Sequence, residues 1–477
     1  MTEKLETDYL IIGAGAMGMA FADTLLTDTQ ASGARIMMVD GHAKPGGHWN
    51  DAYPFVTLHQ PASFYGVASR ELSTGKIDDT GLNKGLCDLS TGSDINSYFD
   101  QVMRHTFLPS GRVQYFPMCH YTGTPGSNET FHSITSGKKY EVTVTQKTVD
   151  ATFLKNSVPS THTPNFSVGD GVTFMPLNSL PGLTSTPDGY VVIGGGKTGI
   201  DACLWLLETG VDPDAICWIV SRDAWMLDRS NTQPAPEFVL KTITTQAAQM
   251  EAISAAKDLD DMYDRLEACG YFVRLDKTVC PSMFHGATIS PLELDALRTI
   301  RNVVRMGHVQ NVGQHEITLE RGTIPTTPNT VHVDCSATAI TNKGTKPIFA
   351  GNVITPQFVR SYQPLFSASL IAHAEATLGN DEDLKNKVCG VVPLPDSNED
   401  FVRFTFAAMM NQYTWSTMDE LSAWLRGNRL DGFSRAIADI PPGNKEAQAV
   451  FKRISAAGAP AVTRLGEFLA QLDEAVA

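Results

Sequence analysis

Apolar residues in this chain come in short runs that break at glycine. Residues 9–18 read Tyr-Leu-Ile-Ile-Gly-Ala-Gly-Ala-Met-Gly, followed by a mostly apolar stretch to Leu26. A continuous apolar run bounded by turn residues is the pattern of a strand buried on both faces. It predicts a strand over 8–12, a tight turn and a helix over about 17–26. A second run, 35–39, predicts the neighbouring strand and ends in Asp40. The same order returns at 190–201, Tyr-Val-Val-Ile-Gly-Gly-Gly-Lys-Thr-Gly-Ile-Asp. There it predicts a strand over 190–193, a helix reaching Glu208 with Gly210 as its C-cap, and a strand over 215–220 that runs into Ser221-Arg222-Asp223.

The pattern changes elsewhere. Residues 139–154 alternate as half-buried strands do. Residues 155–189 are rich in Pro, Ser, Thr and Gly and read as a link. Residues 236–306 show helical spacing, as in Leu259, Met262 and Leu266. They predict a helical insert that either packs on the body or covers a site as a lid, with Arg298, Arg301 and Arg305 on one helix face. Residues 308–319 and 330–335 return to strand, 365–376 to helix, and 400–477 read as helical. The expected fold class is α/β: two Rossmann-like dinucleotide-binding domains, the second inserted in the first, with a helical insertion and a helical C-terminal extension. The boundaries predicted are 1–160, 161–325, 326–395 and 396–477.

Both glycine turns read G-x-G-x-x-G. Gly13 and Gly194 permit the tight turn, Gly15 and Gly196 let backbone approach a pyrophosphate, and Gly18 and Gly199 let the helix pack closely on the strand. The N-terminal amides of each helix then face phosphate. Asp40 follows Gly18 by about 20 residues, the spacing of an acid that grips ribose hydroxyls. An acid there repels a 2′-phosphate, so the first site suits FAD or NAD, and its N-terminal position before a second such site favours FAD. Arg222 occupies the corresponding place in the second unit and suits the 2′-phosphate of NADPH, with Ser221 as a further donor. Asp223 beside it leaves a free ribose, and hence NADH, open.

Among 477 residues the formal net charge is −15, which opposes nucleic acid or an anionic membrane as partner. The eight cysteines carry no C-x-x-C or zinc spacing and read as reduced, buried thiols of a cytoplasmic protein. No signal peptide or lipidation motif is expected at either end, and the three glycines and Asp23 within 9–26 oppose a membrane span. No nucleophile elbow, H-E-x-x-H or P-loop is present.

Beyond Asp40 the chain continues Gly46-Gly47-His48-Trp49 and Tyr53-Pro54. With the second turn's Thr198, Gly199 and Asp201, this resembles the flavin-containing monooxygenases and the related Baeyer–Villiger monooxygenases. The resemblance implies that Gly47 and Trp49 contact FAD and that Thr198 lies at the NADPH site. It also implies that Gln60, in Leu58-His59-Gln60-Pro61, takes the place of an Asn beside the flavin. His59 could move protons there. Residues 331–339 are similar to the segment returning to the flavin domain, with Ala339 where the family has Gly, and Gln357 beyond it is a candidate flavin-ring contact. The family's F-x-G-x-x-x-H fingerprint is missing: Phe166 and Gly169 stand at F-x-x-G spacing, and 165–189 contain no His.

The implied activity is NADPH-dependent oxygenation of a small organic substrate by O₂ through a C4a-peroxyflavin. The alternatives are an NAD(P)H–flavin oxidoreductase without oxygen transfer, and a non-catalytic FAD-binding protein.

Overall fold

The computed structural model describes residues 2–476, so the last residue of the predicted C-terminal extension lies outside it. The first strand, Thr2–Ile12, starts earlier than its apolar run. Its polar leading residues pair with Lys139–Asp150 from Thr2↔Lys139 to Ile12↔Asp150, and that ladder satisfies their backbone whatever their side chains.

The main sheet runs Val113–Phe116, Ile36–Val39, Thr2–Ile12, Lys139–Asp150, Val353–Ile354 in parallel, with Phe349–Ala350 antiparallel at its edge and the hairpin Cys119–Tyr121, Thr130–Ser133 joined antiparallel to Lys139–Asp150. A second sheet runs Asn302–Val304, Ile216–Ile219, Gly189–Ile193, Thr330–Asp334, Phe174–Pro176, all parallel. Each places its glycine-turn strand between the strand that follows it and one returning from much later in the chain. That reversal of strand order opens a crevice at the strands' carboxyl ends, where such sheets bind nucleotides. The expected fold class is therefore observed.

Thr330–Asp334 pairs with Gly189–Ile193, so the second unit continues past residue 325. The chain re-enters the first sheet at Phe349–Ala350. After it, helix Pro364–Thr377 packs on helix Ala16–Asp28, where Thr24 Oγ1 and Ser369 Oγ lie 2.7 Å apart in a buried hydrogen bond. Asp23 on the same helix is 1 % exposed and accepts from Ser69 N–H at 2.9 Å.

The expectation for 236–306 needs correction. Helices Val239–Ala255 and Leu259–Ala268 form, but Phe272–Val273 and Met283–Ile289 then join Ala224–Asp228 in a three-stranded sheet. Arg298, Arg301 and Arg305 share no helix face. The helix Pro291–Leu297 ends before them, and Asn302–Val304 is drawn into the second sheet beside Cys217–Ile219. Pairing of Val303 and Val304 on an open sheet edge overrides the helical spacing of the arginines.

The C-terminal extension is helical, as expected: Asn398–Ser416, Asp419–Gly427, Phe433–Ala438 and Lys445–Val476. Its last helix packs along Val239–Ala255, fastened by Arg453 to Glu251 at 2.8 and 2.7 Å. Insert and extension thus form one body. Among the described residues no cysteine is disulfide-bonded. Among the described residues no helix is long and apolar enough to cross a membrane, and no cluster of His, Cys, Asp and Glu could hold a metal ion.

Candidate functional site: two glycine turns and a cavity

The two turns share one geometry. A Cβ on Gly18 would lie 2.0 Å from Gly13 O, and a Cβ on Gly199 would lie 2.0 Å from Gly194 O. Gly13 has φ +97° and Gly194 φ +136°, conformations that L side chains rarely adopt. Each helix begins at its middle glycine, Gly15 or Gly196, without a side-chain cap, which leaves its first amides open to an anion. Gly47 lies against the first turn: a Cβ there would fall 2.9 Å from Gly15 Cα. Trp49 follows on the 3₁₀ turn Gly47–Asp51, its indole held by donation from Nε1 to the Tyr65 hydroxyl at 2.6 Å.

Asp40 sits over the first turn. Its Oδ2 accepts from Ala14 N–H at 2.6 Å and its Oδ1 from His42 N–H at 2.7 Å. His42 bridges Asp40 and Asp51 at 2.9 and 2.8 Å, and these two carboxylates push its pKa up to about 9. On the adjacent strand the Tyr115 hydroxyl is buried with no hydrogen-bond partner, a free polar group at the edge where a nucleotide would lie. The residues present fit a dinucleotide with free ribose hydroxyls.

Arg222 stands beside the second turn, its carbonyl oxygen 3.3 Å from where a Gly195 Cβ would be. Its guanidinium holds Asp396 in a two-pronged ion pair, 3.2 Å on each side. His285 Nε2 and Lys343 Nζ reach the same carboxylate at 2.5 and 2.8 Å, and these donors hold its pKa below the usual carboxylate range. Asp223, the neighbour that left NADH open, is occupied by Arg305 at 2.9 and 3.1 Å. Ser221 and Thr198 are half-buried at the strand end and helix start. Lys197 pairs with Asp201 one helical turn on.

The units meet at named bonds. The Tyr53 hydroxyl donates to Asp201 Oδ2 at 2.6 Å. Arg229, fully buried, donates to His59 O at 2.9 Å, to Asn83 Oδ1 at 3.0 Å and to Glu293 Oε2 at 2.8 Å. His59 accepts from Thr288 N–H at Nδ1, 3.3 Å away, so its proton sits on Nε2. Removal from water, with Lys197 and Arg229 nearby, pushes its pKa down to about 3. Nδ1 is thus taken up as an acceptor, which leaves Nε2–H as the group His59 can offer.

Gln60 lines a cavity of about 600 Å³ and donates to Tyr362 O at 3.4 Å. Leu227, Thr288, Tyr362, Phe404 and Gln412 supply other walls, so the first unit, the insert, the return segment and the extension all contribute. Tyr362 has φ +42°, a strained backbone for a non-glycine residue, and its ring covers Gly286, where a Cβ would lie 2.2 Å from Cε2. Gln357 does not reach the cavity wall. It is 2 % exposed, and its carboxamide is spent on the Lys346 backbone, accepting at 3.2 Å and donating at 2.8 Å.

The residues that pattern reading missed carry no local motif. Arg229, Glu293, Tyr362 and Gly286 are isolated in sequence and meet through tertiary packing. Lys343, in the link after Ala339, and His285, in a strand masked by its helical surroundings, are likewise unmarked. Phe166 packs against Phe174 beside the small strand Ser167–Val168, and His162 contacts Ser336 at 3.3 Å.

No protein-family model matches the chain. It belongs to one family with the uncharacterized proteins Rv2000 of Mycobacterium tuberculosis (strain H37Rv) and Mb2023 of Mycobacterium bovis. Each is 44% identical over 473 residues, covering 99% of this chain and 86% of the relative. Among solved structures it is similar to a polycyclic ketone monooxygenase from the thermophilic fungus Thermothelomyces thermophila: TM-score 0.54, 12% identity, 98% of this chain and 89% of that one. Cyclohexanone-bound cyclohexanone monooxygenase gives TM-score 0.50 and 14% identity over 90% of this chain and 98% of that one. The chain thus has the fold of the flavin-containing monooxygenase-like flavoproteins.

Proposed function

We propose that this chain is an FAD-dependent oxidoreductase that uses NADPH and O₂ to oxygenate a small organic molecule. The observation that carries the reading is the pair of glycine turns: one geometry, flanked by opposite charges in Asp40 and Arg222, in units bonded by Tyr53 and Asp201. Gly13, Gly15, Gly18, Asp40, Gly47 and Trp49 would hold FAD. Gly194, Gly196, Thr198, Gly199, Ser221 and Arg222 would hold NADPH, with Asp223 withdrawn into its pair with Arg305. Bound FAD supplies the redox chemistry, accepting hydride and reacting with O₂.

The protein's own contribution is position and shelter. Gln60 orients groups at the cavity mouth through its carboxamide. His59 offers Nε2–H, its other ring nitrogen accepting from Thr288. Phe284, Tyr362 and Phe404 give part of the cavity an apolar lining, which suits a small organic substrate. Two of the proteins whose fold it shares are ketone monooxygenases by name, which supports that class.

The test is to reconstitute the protein with FAD, add NADPH without oxygen and follow flavin absorbance, then admit O₂ with a panel of ketones and amines. Bleaching followed by oxygenated product supports the reading, and failure to bleach sinks it. The missing fingerprint His favours a second reading, flavin reduction without oxygen transfer. In that case reoxidation returns all the oxygen as H₂O₂.

A further inference from the structure

Three basic side chains from three separate segments converge on one carboxylate. Arg222 follows the second strand of the second unit, His285 lies on strand Met283–Ile289, and Lys343 lies on the link back to the first sheet. All reach Asp396, at 3.2, 2.5 and 2.8 Å. Arg222 and Lys343 together carry one more charge than the carboxylate they hold, and His285 adds a hydrogen-bonding group, in a chain whose net charge is −15. Surplus donors fixed around a single carboxylate form a site whose better ligand is a dianion. The site is also accessible: all four side chains are between 35% and 39% exposed.

Asp396 is not an isolated loop residue. Its amide donates to Asp400 Oδ2 at 3.1 Å, and Ser397 next to it caps helix Asn398–Ser416. Its carbonyl accepts from Phe284 N–H at 3.3 Å. That helix carries Phe404, Thr405, Ala408 and Gln412 into the cavity wall, and Phe284 is a wall residue too. The ion-pair cluster and the cavity are therefore linked at the start of one helix.

We propose that Asp396 is an internal stand-in for the 2′-phosphate of the nicotinamide dinucleotide: NADPH displaces it, and the displaced carboxylate frees the start of the cavity-lining helix. This rests on the reading of Arg222 as the 2′-phosphate ligand. A dinucleotide without that phosphate leaves the latch closed. The cavity helix would then respond to NADPH and not to NADH. Competition by the latch lowers apparent NADPH affinity by the fraction of molecules in which it is open.

The test is equilibrium binding of NADP⁺ and NAD⁺ to the FAD-loaded protein, read by the change in flavin absorbance, for wild type, Asp396→Asn and Arg222→Ala. Asp396→Asn is expected to tighten NADP⁺ by about tenfold and to move NAD⁺ by less than about twofold. Unchanged or weaker NADP⁺ binding in this variant overturns the proposal, because Asp396 would then only organise the cations. Should the variant misfold, hydrogen exchange of residues 396–416 in the wild type decides, comparing adenosine 2′,5′-bisphosphate with AMP. Faster exchange with the bisphosphate alone supports the latch, and identical exchange overturns it. Failure of the underlying reading looks different: Arg222→Ala would then weaken NADP⁺ and NAD⁺ equally.

Discussion

The Tyr53 hydroxyl donates to Asp201 Oδ2 at 2.6 Å, joining the loop behind the first glycine turn to the helix behind the second. Tyr53 is 6 % exposed, so this bond is made in a dry interface. Tyr53→Phe leaves Asp201 with Lys197 alone. The expected cost is about 1–2 kcal/mol in denaturant unfolding. Flavin reduction by NADPH should slow more than NADP⁺ binding weakens, because the bond sets how the units face each other.

Gly18→Ala and Gly199→Ala place equivalent methyl groups against equivalent carbonyls, yet should separate two activities. Gly18→Ala is expected to lose FAD on purification. Gly199→Ala should retain FAD, with its visible spectrum, and lose NADP⁺ binding. Loss of both cofactors in both variants would show that the turns do not act as separate sites.

Arg222→Ala should lower kcat/KM for NADPH by about tenfold or more, about 1.4 kcal/mol per decade, and change the value for NADH little. An equal fall for both would refute the 2′-phosphate role.

Arg229 is 0 % exposed and neutralises Glu293. Arg229→Met strands a buried carboxylate, and the expected loss is about 3–5 kcal/mol by chemical denaturation. The paired replacement Arg229→Met with Glu293→Gln should recover part of it.

Two histidines act on opposite flanks of the stability–pH curve. The pKa of His59 is about 3 in the fold against 6.5 free, so the unfolded chain takes the proton first, and stability falls as pH drops from 6.5 toward 3. His42 is raised to about 9, so its contribution is complete below 6.5 and is lost as pH rises through 9. His42→Gln should flatten the alkaline flank and His59→Asn the acid one in urea midpoints measured across pH. If His59 worked as a base, the pH–rate profile would show an ionisation near neutrality, and none from this residue is expected.

What the chain's pattern made legible is local. Each G-x-G-x-x-G needs its glycines because the third lies on the first one's carbonyl, a constraint spanning a handful of residues. The charges of Asp40 and Arg222 were readable because a parallel strand fixes where its next residue falls. The insert was less legible: helical spacing holds to Ala268, but Met283–Ile289 and Asn302–Val304 are strands because sheet edges far away in sequence recruit them. Gln357 looked like a cofactor contact from its neighbourhood, yet the backbone of Lys346 consumes its carboxamide.

The sequence by itself determined the two nucleotide-type turns, their order, the opposite charges beside them and the helical C-terminal extension, because each is written in residues close along the chain. Tertiary structure alone decided that Asp396 rests on Arg222, that His59 accepts from Thr288, that Tyr362 is strained over Gly286, and that four parts of the chain enclose one cavity. Those properties depend on removal from water and on contacts between residues up to hundreds of positions apart, which no run of neighbouring residues encodes.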